Sequence, residues 1–256
     1  MNMNMNMNRK VQVYQQKNDD KLAKNPHNDD PIYLVLQYFV HSDKKRHQEL
    51  QTCMKKNVEL GLFEKIILLN EKIYTSEQLG IKQSQMSSVE QINIKDRLTF
   101  SHCFNEIERL QKPGYYVIAN SDIFFDKTLI NVRKSCLSKE KSLYALLRFE
   151  YTNQKKLGYC KLFNHPRTNA PRPDSQDVWI YHTSFSPNDI IKQQTNFAFG
   201  KPGCDNKLPI IFASQGYKCI NAPWNVKTYH YHKTQIRNYS QKDTIPDPYL
   251  YLHPIL

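Results

Sequence analysis

The chain has 256 residues and a formal net charge of +12, and 39% of its residues are hydrophobic and 12% aromatic. This length fits one large domain or two small ones, and the apolar content excludes a wholly disordered chain. The positive charge predicts an anionic partner, either a nucleic acid, a phosphorylated ligand or an acidic surface.

The two ends of the chain differ in composition from its middle. Residues 1–30 begin with an alternating Met-Asn repeat and continue in Asn, Lys, Gln and Asp, which predicts a disordered low-complexity leader. Residues 31–240 carry the periodic apolar segments of a folded domain. Residues 241–256 contain three prolines and no regular period, which predicts an irregular tail.

The predicted domain starts with the order strand, helix, strand. Residues 32–40 are apolar on both faces and predict a central strand, and residues 43–60 predict a helix that Gly61 ends. Residues 63–70 predict the second strand, so these elements form a right-handed βαβ unit with parallel strands. Residues 71–96 are polar without a steady period, and we expect them to form a loop.

The alternation of helices and strands continues to about residue 150. A helix over residues 99–111 precedes a buried strand over Tyr115–Ala119, and a short helix over residues 128–136 precedes a strand over residues 142–149. The order β-α-β-α-β-α-β predicts an α/β layered fold. Its central sheet is expected to be mostly parallel and flanked by helices.

Beyond residue 150 the periodic segments become sparse. Residues 151–174 predict a surface loop, residues 175–181 a strand, and residues 187–194 and 207–215 two helices.

Six cysteines without a Cys-x-x-Cys pair argue against a zinc ribbon and a disulfide framework, and predict reduced thiols. No apolar run approaches the ~20 residues of a membrane span.

Three polar residues, Asn120, Ser121 and Asp122, follow the buried strand that ends at Ala119. Ligands of open α/β sheets bind at the carboxyl ends of the strands, so a carboxylate there is a candidate site residue. One carboxylate together with ligand phosphates is sufficient to hold Mg²⁺ or Mn²⁺. The alternative is that Asp122 caps a turn or the next helix.

A glycine-bearing turn, Gly203-Cys204-Asp205-Asn206, precedes the predicted helix over residues 207–215. Glycine lets backbone approach a ligand closely, and a carboxylate held at such a turn can act as a general base. The alternative for Asp205 is a helix N-cap, since Asp and Asn are preferred there.

Two histidines, His230 and His232, lie two residues apart in a segment rich in charge and aromatic rings. In an extended segment such residues share a face, so both imidazoles can point to one metal ion or one phosphate. Lys227 and Arg237 add positive charge suited to phosphate oxygens. The alternative is a pair of buried or surface histidines without a ligand.

The order of these segments along one α/β chain resembles the GT-A-fold, nucleotide-sugar-dependent glycosyltransferases. The strand ending in Asn120-Ser121-Asp122 resembles their metal-binding carboxylate motif, although only the last acid of the usual Asp-x-Asp is present. Residues 175–179, residues 203–206 and His230-x-His232 are similar to segments of uncharacterised glycosyltransferase-like proteins from large DNA viruses and microbes. The resemblance covers about residues 31–239.

The resemblance implies a GT-A-like (Rossmann-like) domain that transfers a sugar from a nucleoside-diphosphate-sugar donor to a hydroxyl of a glycan or another acceptor. A divalent metal, Mn²⁺ or Mg²⁺, would bridge the donor diphosphate, with Asp122, His230 and His232 as its candidate ligands. Asp205 is the candidate base of an inverting reaction. The candidate donor-binding residues are Asn120, Ser121, Arg148, Asp177, Gly203, Asn206, Lys227 and Arg237.

Two other functions stay open on the sequence. A metal-dependent nucleotidyltransferase also uses a nucleotide and a metal, but it normally places two or more acids together for two metal ions. A basic nucleic-acid-binding module fits the charge and the tyrosines, yet the charge is scattered and no recognition-module signature is present, which disfavours nucleic acid. We expect a cytoplasmic protein, in the host cytoplasm if the chain is viral, without a membrane span.

Overall fold

The computed structural model describes residues 27–152, 156–236 and 239–255. The strands are β1 (Ile32–Leu36), β2 (Lys65–Asn70), β3 (Val89–Asn93), β4 (Tyr115–Ala119), β5 (Ile123–Phe125), β6 (Ser142–Leu147), β7 (Phe149–Glu150), β8 (Lys161–Leu162), β9 (Gln176–His182), β10 (Lys218–Ile220) and β11 (Thr228–His230). The α-helices are α1 (Lys44–Leu60), α2 (Ser76–Leu79), α3 (Phe100–Leu110), α4 (Asp189–Gln194) and α5 (Cys204–Ser214). Short 3₁₀ helices occupy Gln83–Ser88, Lys127–Lys134, Leu157–Tyr159, Thr183–Phe185 and Gln241–Asp243.

Seven strands form the central sheet, in the order β10-β6-β9-β4-β1-β2-β3. Neighbouring strands are parallel except at β9, which is antiparallel to both β4 and β6. Residues of α1 and α2 belong to the buried cluster on one face, and residues of α3, α4 and α5 to the cluster on the other. The predicted α/β fold with a mostly parallel sheet flanked by helices is confirmed.

The two faces of the sheet explain why the central strands are apolar without a break. In β1, Leu34 belongs to the same buried cluster as Leu50 of α1, whereas Val35 belongs to that of Phe104 in α3. Successive residues of a strand point to opposite faces. Because both faces are covered, every position of such a strand must be apolar.

The predicted βαβ unit is present, but β1 ends at Leu36, four residues before the predicted end of the first strand. α1 begins after Asp43, whose carboxylate accepts a hydrogen bond from the amide of Arg46 over 2.8 Å. The helix ends at Gly61, where the backbone has a φ of +68° that glycine adopts without steric cost. β1 and β2 then pair in parallel, with Leu34 opposite Ile66.

The prediction of a loop over residues 71–96 is wrong in part. This segment contains α2, a 3₁₀ helix and β3, which pairs in parallel with β2 at the edge of the sheet. An edge strand has a neighbour on one side only, and the residues of β3 are half-buried or exposed. Its polar sequence therefore lacks the apolar run of a central strand. The helix predicted over residues 128–136 is a 3₁₀ helix over Lys127–Lys134.

A second sheet, in the order β5-β11-β7-β8, joins distant parts of the chain. β5 follows the carboxyl end of β4 after a short turn. β11 pairs with β5 in antiparallel orientation, which places His230 opposite Ile123. The amide of Tyr231 also donates to the backbone carbonyl of Asp122 over 2.9 Å. The small sheet thereby brings the segment with both histidines to the carboxyl end of β4.

The predicted leader and tail differ in how much of them is described. Residues 1–26 of the leader lie outside the described residues. The tail packs on the domain, since the amides of Ile245 and Leu250 donate to the carbonyls of Pro202 and Asn206 over 2.9 and 3.0 Å. Among the described helices, none is both long and apolar enough to cross a membrane.

Candidate active site

A cavity of about 760 Å³ opens at the carboxyl ends of β1 and β4. Its walls include the chain that follows these two strands, residues at the ends of β6, β9 and β11, the start of α5 and the tail. The volume is within the range of ligand pockets, and the position is the one at which α/β sheets bind ligands. The predicted site residues that line the cavity are Asn120, Ser121, Asp122, Arg148, Asp177, Gly203, Asp205, Asn206, His230 and His232.

Asp122, His230 and His232 form a compact cluster at the wall of the cavity. Asp122 Oδ2 lies 3.3 Å from His230 Nε2 and 3.6 Å from His232 Nδ1. One donor atom from each residue lies within 4.8 Å of those of the other two. Each side chain keeps 11–12% of its surface exposed, so the cluster is mostly buried but open to a small ion.

The carboxylate of Asp122 also pairs with a guanidinium for which the sequence carries no signal. Arg46 of α1 donates from Nη2 to Asp122 Oδ2 over 2.6 Å and from Nη1 to Glu49 over 2.9 Å. Burial alone would raise the pKa of Asp122, but His230 and Arg46 lower it far below its ordinary value. Asp122 is therefore ionised at neutral pH.

His230 lies between two carboxylates. Its Nε2 faces Asp122, and its Nδ1 lies 3.2 Å from Glu150 Oε2. Burial alone would lower the pKa of His230, but Asp122 and Glu150 raise it to about 9. Burial would raise the pKa of Glu150, but His230 and Arg148 lower it to about 2. A carboxylate on the second ring nitrogen fixes the orientation of an imidazole, as it does for metal-bound histidines.

The donor atoms of the cluster suit a divalent cation. Carboxylate oxygen is a ligand for Mg²⁺ and Mn²⁺, and imidazole nitrogen favours transition metals over Mg²⁺. His232 turns Nδ1 toward Asp122, whereas its Nε2 is buried without a hydrogen-bond partner within the described part of the chain. The set of one carboxylate and two imidazoles fits a bound divalent cation, with Nδ1 as the donor of His232.

Asp177 is the centre of a second charged cluster beside the first. Its carboxylate accepts from Asn120 Nδ2 over 2.7 Å and from Arg148 Nη1 over 2.5 Å. Arg148 also donates to Glu150 over 2.8 Å, which connects the two clusters. The guanidinium that was predicted to face donor oxygens does line the cavity, but these protein carboxylates hold it.

Asp205 is the second residue of α5 and lines the cavity. The helix begins at Cys204, three residues before the predicted start, and Gly203 with a φ of +83° is its N-cap. The alternative in which Asp205 is the N-cap is therefore wrong. Burial and the negative charge of Asp177 raise the pKa of Asp205 to about 7. A carboxyl with this pKa can take up a proton near neutral pH.

Gly203 lies next to the tail of the protein. A Cβ added to it would lie 2.7 Å from the hydroxyl of Tyr249 and 3.0 Å from the carbonyl of Ile245. The close approach that this glycine permits within the protein is to the tail, and its approach to a ligand stays a prediction. The neighbouring Asn206 is buried, and its carbonyl accepts from the amide of Leu250.

The remaining predicted donor-binding residues are not placed at the cavity. The amino group of Lys227 lies 5.9 Å from the centre of the Phe149 ring, and Lys227 does not line the cavity as far as the chain is described. Arg237 lies outside the described residues. Lys72 and Arg97 line the cavity instead. The sequence gives no signal for them, because single basic residues in polar segments are typical of a solvated surface.

Comparison with solved structures identifies the fold. The chain is similar to a mannosyltransferase from Pyrobaculum calidifontis in complex with GDP-Man and Mn²⁺, with a TM-score of 0.51 and 10% sequence identity. The similarity covers 80% of this chain and 58% of the mannosyltransferase, so this chain spans little more than half of that protein's length. The chain has the GT-A-like fold that the sequence resemblance implied.

Two further structures are similar at lower scores. GalNAc-T7 with UDP, GalNAc and Mn²⁺ has a TM-score of 0.46 and 9% identity, over 79% of this chain and 44% of its own. A 4-diphosphocytidyl-2C-methyl-D-erythritol synthase from Anaerococcus prevotii has a TM-score of 0.43 and 12% identity, over 85% of this chain and 94% of its own. No family model and no curated protein sequence matches the chain.

Proposed function

We propose that the protein is a metal-assisted glycosyltransferase that moves a sugar from a nucleoside-diphosphate-sugar donor to an acceptor hydroxyl. One observation carries this proposal: a single cavity in a GT-A-like fold is lined by an Asp-His-His cluster and by a carboxyl with a pKa of about 7. The cluster would hold a cation beside the diphosphate of the donor, and the carboxyl would take the proton of the acceptor hydroxyl.

Asp122, His230 and His232 would bind a cation that holds the diphosphate of the donor. We propose Mn²⁺ as the cation, because two of the three donor atoms are imidazole nitrogens. Bound there, a divalent cation supplies positive charge opposite the donor diphosphate and the departing nucleotide. Glu150 orients the His230 ring so that Nε2 stays turned toward Asp122.

Other residues of the cavity would complete the donor site. Asn120 and Ser121, at the carboxyl end of β4, would face donor oxygens, and Asp177 fixes the Asn120 amide over 2.7 Å. Lys72 and Arg97 line the same cavity and complement the charge of a diphosphate. Their positive charge matches the anionic partner that the net charge of +12 predicts.

Asp205 would act as the base of an inverting reaction. Its carboxylate takes the proton of the acceptor hydroxyl while that oxygen forms a bond to the anomeric carbon. The bond between the anomeric carbon and the diphosphate oxygen breaks, and the nucleoside diphosphate leaves with the electron pair. A pKa of about 7 leaves a substantial fraction of Asp205 ionised at neutral pH and makes it a stronger base than an ordinary Asp.

The acceptor would enter beside the tail. Tyr239, Tyr249 and Tyr251 line the cavity there. Their rings combine an apolar face with a hydroxyl, which suits a sugar ring with apolar and polar sides. We therefore propose a glycan or another hydroxyl-bearing molecule as the acceptor.

A binding screen followed by a turnover assay tests the proposal. Thermal shifts with nucleoside diphosphates and nucleotide sugars, each with and without Mn²⁺, identify the donor, because a ligand of the folded state raises the melting temperature. Release of nucleoside diphosphate from the best donor, with water or with sugar acceptors, then measures transfer. We expect a Mn²⁺-dependent shift and a release rate that Asp205→Asn lowers by roughly 10² to 10⁴-fold.

A control variant and two contrary outcomes make the assay decisive. Asp96→Asn changes an exposed aspartate that does not line the cavity, so it should retain donor binding and release. Release of pyrophosphate from a nucleoside triphosphate, without turnover of any nucleotide sugar, would indicate nucleotidyl transfer instead. Salt-sensitive binding of single-stranded nucleic acid without any nucleotide-sugar shift would indicate a nucleic-acid-binding module.

A further inference from the structure

A second cluster of two histidines and one aspartate lies at the end of the sheet opposite the cavity. Asp30 precedes the first residue of β1 by two positions, and His182 ends β9, where it pairs with Tyr115 at the start of β4. The cavity lies at the other ends of β1 and β4, each of which is five residues long. The two places are therefore about 16 Å apart along the strands.

The carboxylate of Asp30 lies between two imidazoles. Its Oδ2 is 2.7 Å from His27 Nδ1 and 2.9 Å from His182 Nε2. One donor atom of each residue lies within 4.8 Å of the others. His182 has 1% of its side chain exposed, whereas His27 and Asp30 have 34% and 24% exposed. One ligand is thus fixed in the interior, and two are open to ions from solvent.

Neighbouring residues help to position His182 and Asp30. The ring of His182 packs edge-on against Tyr115, with centroids 4.6 Å apart. Arg133 donates to the backbone carbonyl of Asp30 over 3.1 Å and leaves its carboxylate free for the histidines. The geometry of the cluster is therefore set by the strands and their neighbours.

Ser184 lets the ring of His182 take either tautomer. Without an ion, the amide of Ser184 donates to His182 Nδ1 over 3.1 Å, so Nε2 carries the proton that it gives to Asp30. When Nδ1 carries the proton, the amide of Ser184 gives up its hydrogen bond to this nitrogen, and the Ser184 hydroxyl, 2.9 Å from Nδ1, accepts instead. In that tautomer Nε2 is unprotonated and free to bind a metal, with a hydrogen-bonded Nδ1 as metal-bound histidines commonly have.

We propose that His27, Asp30 and His182 form a zinc-binding site separate from the active site. Two imidazoles and one carboxylate are a known set of three protein ligands for Zn²⁺, with water in the fourth position. On binding, each neutral ring carries its proton on the nitrogen that faces away from the ion, and Asp30 binds as a carboxylate. Zn²⁺ takes the place of the hydrogen bonds that now join the three side chains.

This site would attach the beginning of the described chain to the sheet. His27 is the first described residue, and it lies before β1, whereas His182 ends β9. Coordination would link these two segments at the amino end of β1. Zn²⁺ should therefore stabilise the folded protein without changing the donor cavity, since an ion that binds only the folded state raises its stability.

Cobalt(II) titration of the full-length chain tests the site, because Co²⁺ replaces Zn²⁺ and its tetrahedral complexes absorb visible light intensely. The titration uses Asp122→Ala as background, which removes the first cluster. We expect one equivalent of Co²⁺ to bind with a tetrahedral spectrum, and Zn²⁺ to displace it and raise the melting temperature. Adding His27→Gln should abolish the spectrum and the thermal shift. His253→Gln, which changes an exposed histidine outside both clusters, should preserve them.

Two outcomes would overturn the zinc site. One is a folded Asp122→Ala protein that gives no tetrahedral cobalt spectrum, and the other is a spectrum that survives His27→Gln. His27 is partly exposed, so its substitution should leave the core intact, and an unchanged circular dichroism spectrum checks this. If Asp122→Ala does not fold, Asp122→Asn keeps the size of the side chain and takes its place as background.

Discussion

His230 Nε2 lies 3.3 Å from Asp122 Oδ2, although more than a hundred residues separate them along the chain. The pairing of β11 with β5 produces this contact, because His230 is the register partner of Ile123, the residue after Asp122. The candidate metal centre therefore depends on the small sheet, in which β5 from the middle of the chain pairs with β11 from near its end. Its ligands can be tested singly, because each comes from a different position of that sheet or its ends.

Removal of a metal-binding side chain from the cluster should weaken the binding of the nucleotide-sugar donor. We expect Asp122→Ala to abolish the Mn²⁺-dependent part of donor binding, because it removes the only carboxylate of the three. His232→Ala should cause a smaller loss, since the charged carboxylate of Asp122 and the imidazole of His230 remain. Calorimetric titration of the donor with and without Mn²⁺ measures both effects. Unchanged Mn²⁺-dependent affinity in folded Asp122→Ala would contradict a cation at this position.

Glu150 offers a test of the orientation of His230. Its Oε2 lies 3.2 Å from His230 Nδ1, and Glu150→Gln removes the charge while keeping the size of the side chain. Loss of such a supporting carboxylate typically lowers metal affinity by roughly 10 to 100-fold. Mn²⁺ titration followed by electron paramagnetic resonance measures this. Glu140→Gln, which changes an exposed acid 3.8 Å from Lys218, is the matched control and should bind Mn²⁺ as the parent does.

Asp205 predicts the pH dependence of transfer. The base must be ionised to accept a proton, and its pKa is about 7. We therefore expect kcat/KM to rise about tenfold per pH unit below that value and to level off above it. Asp205→Asn should lose this rise along with most of the activity, while donor affinity stays near the parental value. A parental rate in Asp205→Asn would show that Asp205 is not the base.

The same pKa predicts the pH dependence of stability. The pKa of an Asp in the unfolded chain is about 3.9, so the native state holds a proton on Asp205 that the unfolded state releases at lower pH. This contribution to stability is full below about pH 4 and is lost as the pH rises to about 7. Asp205→Asn has no such loss. The melting temperature of the variant minus that of the parent should therefore increase between pH 5 and pH 8.

The sequence predicts those elements of the fold whose own residues form a clear apolar pattern. β1, β2 and β4 are continuous apolar runs because both of their faces are buried. β3 escapes prediction because an edge strand needs no such run, and its sequence is mostly polar. The start of α5 escapes prediction because its N-cap is a glycine without a side-chain hydrogen bond.

The candidate site divides in the same way. Asp122, His230 and His232 can be selected from the sequence because each has a local signal, a strand end or a same-face spacing. Arg46 has none, since a basic residue in a long helix is typical of a solvated face. Its burial against Asp122 arises only when α1 packs beside β5. Glu150 is likewise an ordinary acid until β7 pairs with β11 and brings it to His230.

Arg46 and a bound cation should compete for the carboxylate of Asp122. The guanidinium lies 2.6 Å from Asp122 Oδ2 and 2.9 Å from Glu49 Oε2, and all three side chains are buried. Arg46→Gln leaves two buried acids with less compensating charge. Breaking a buried ion pair from one side costs about 3–5 kcal/mol, so we expect a loss of this order in the free energy of unfolding measured by denaturant in the presence of a chelator.

Mn²⁺ should restore more stability to Arg46→Gln than it adds to the parent protein. The cation supplies the positive charge that the variant lacks, and the guanidinium no longer repels it from Asp122. The melting temperature with and without Mn²⁺ measures this difference. Lys55→Gln is the control, because it breaks an exposed ion pair in which Lys55 Nζ lies 3.8 Å from Glu59 Oε1. It should change the free energy of unfolding by less than about 1 kcal/mol. An equal Mn²⁺-dependent rise in Arg46→Gln and the parent would place the cation away from Asp122.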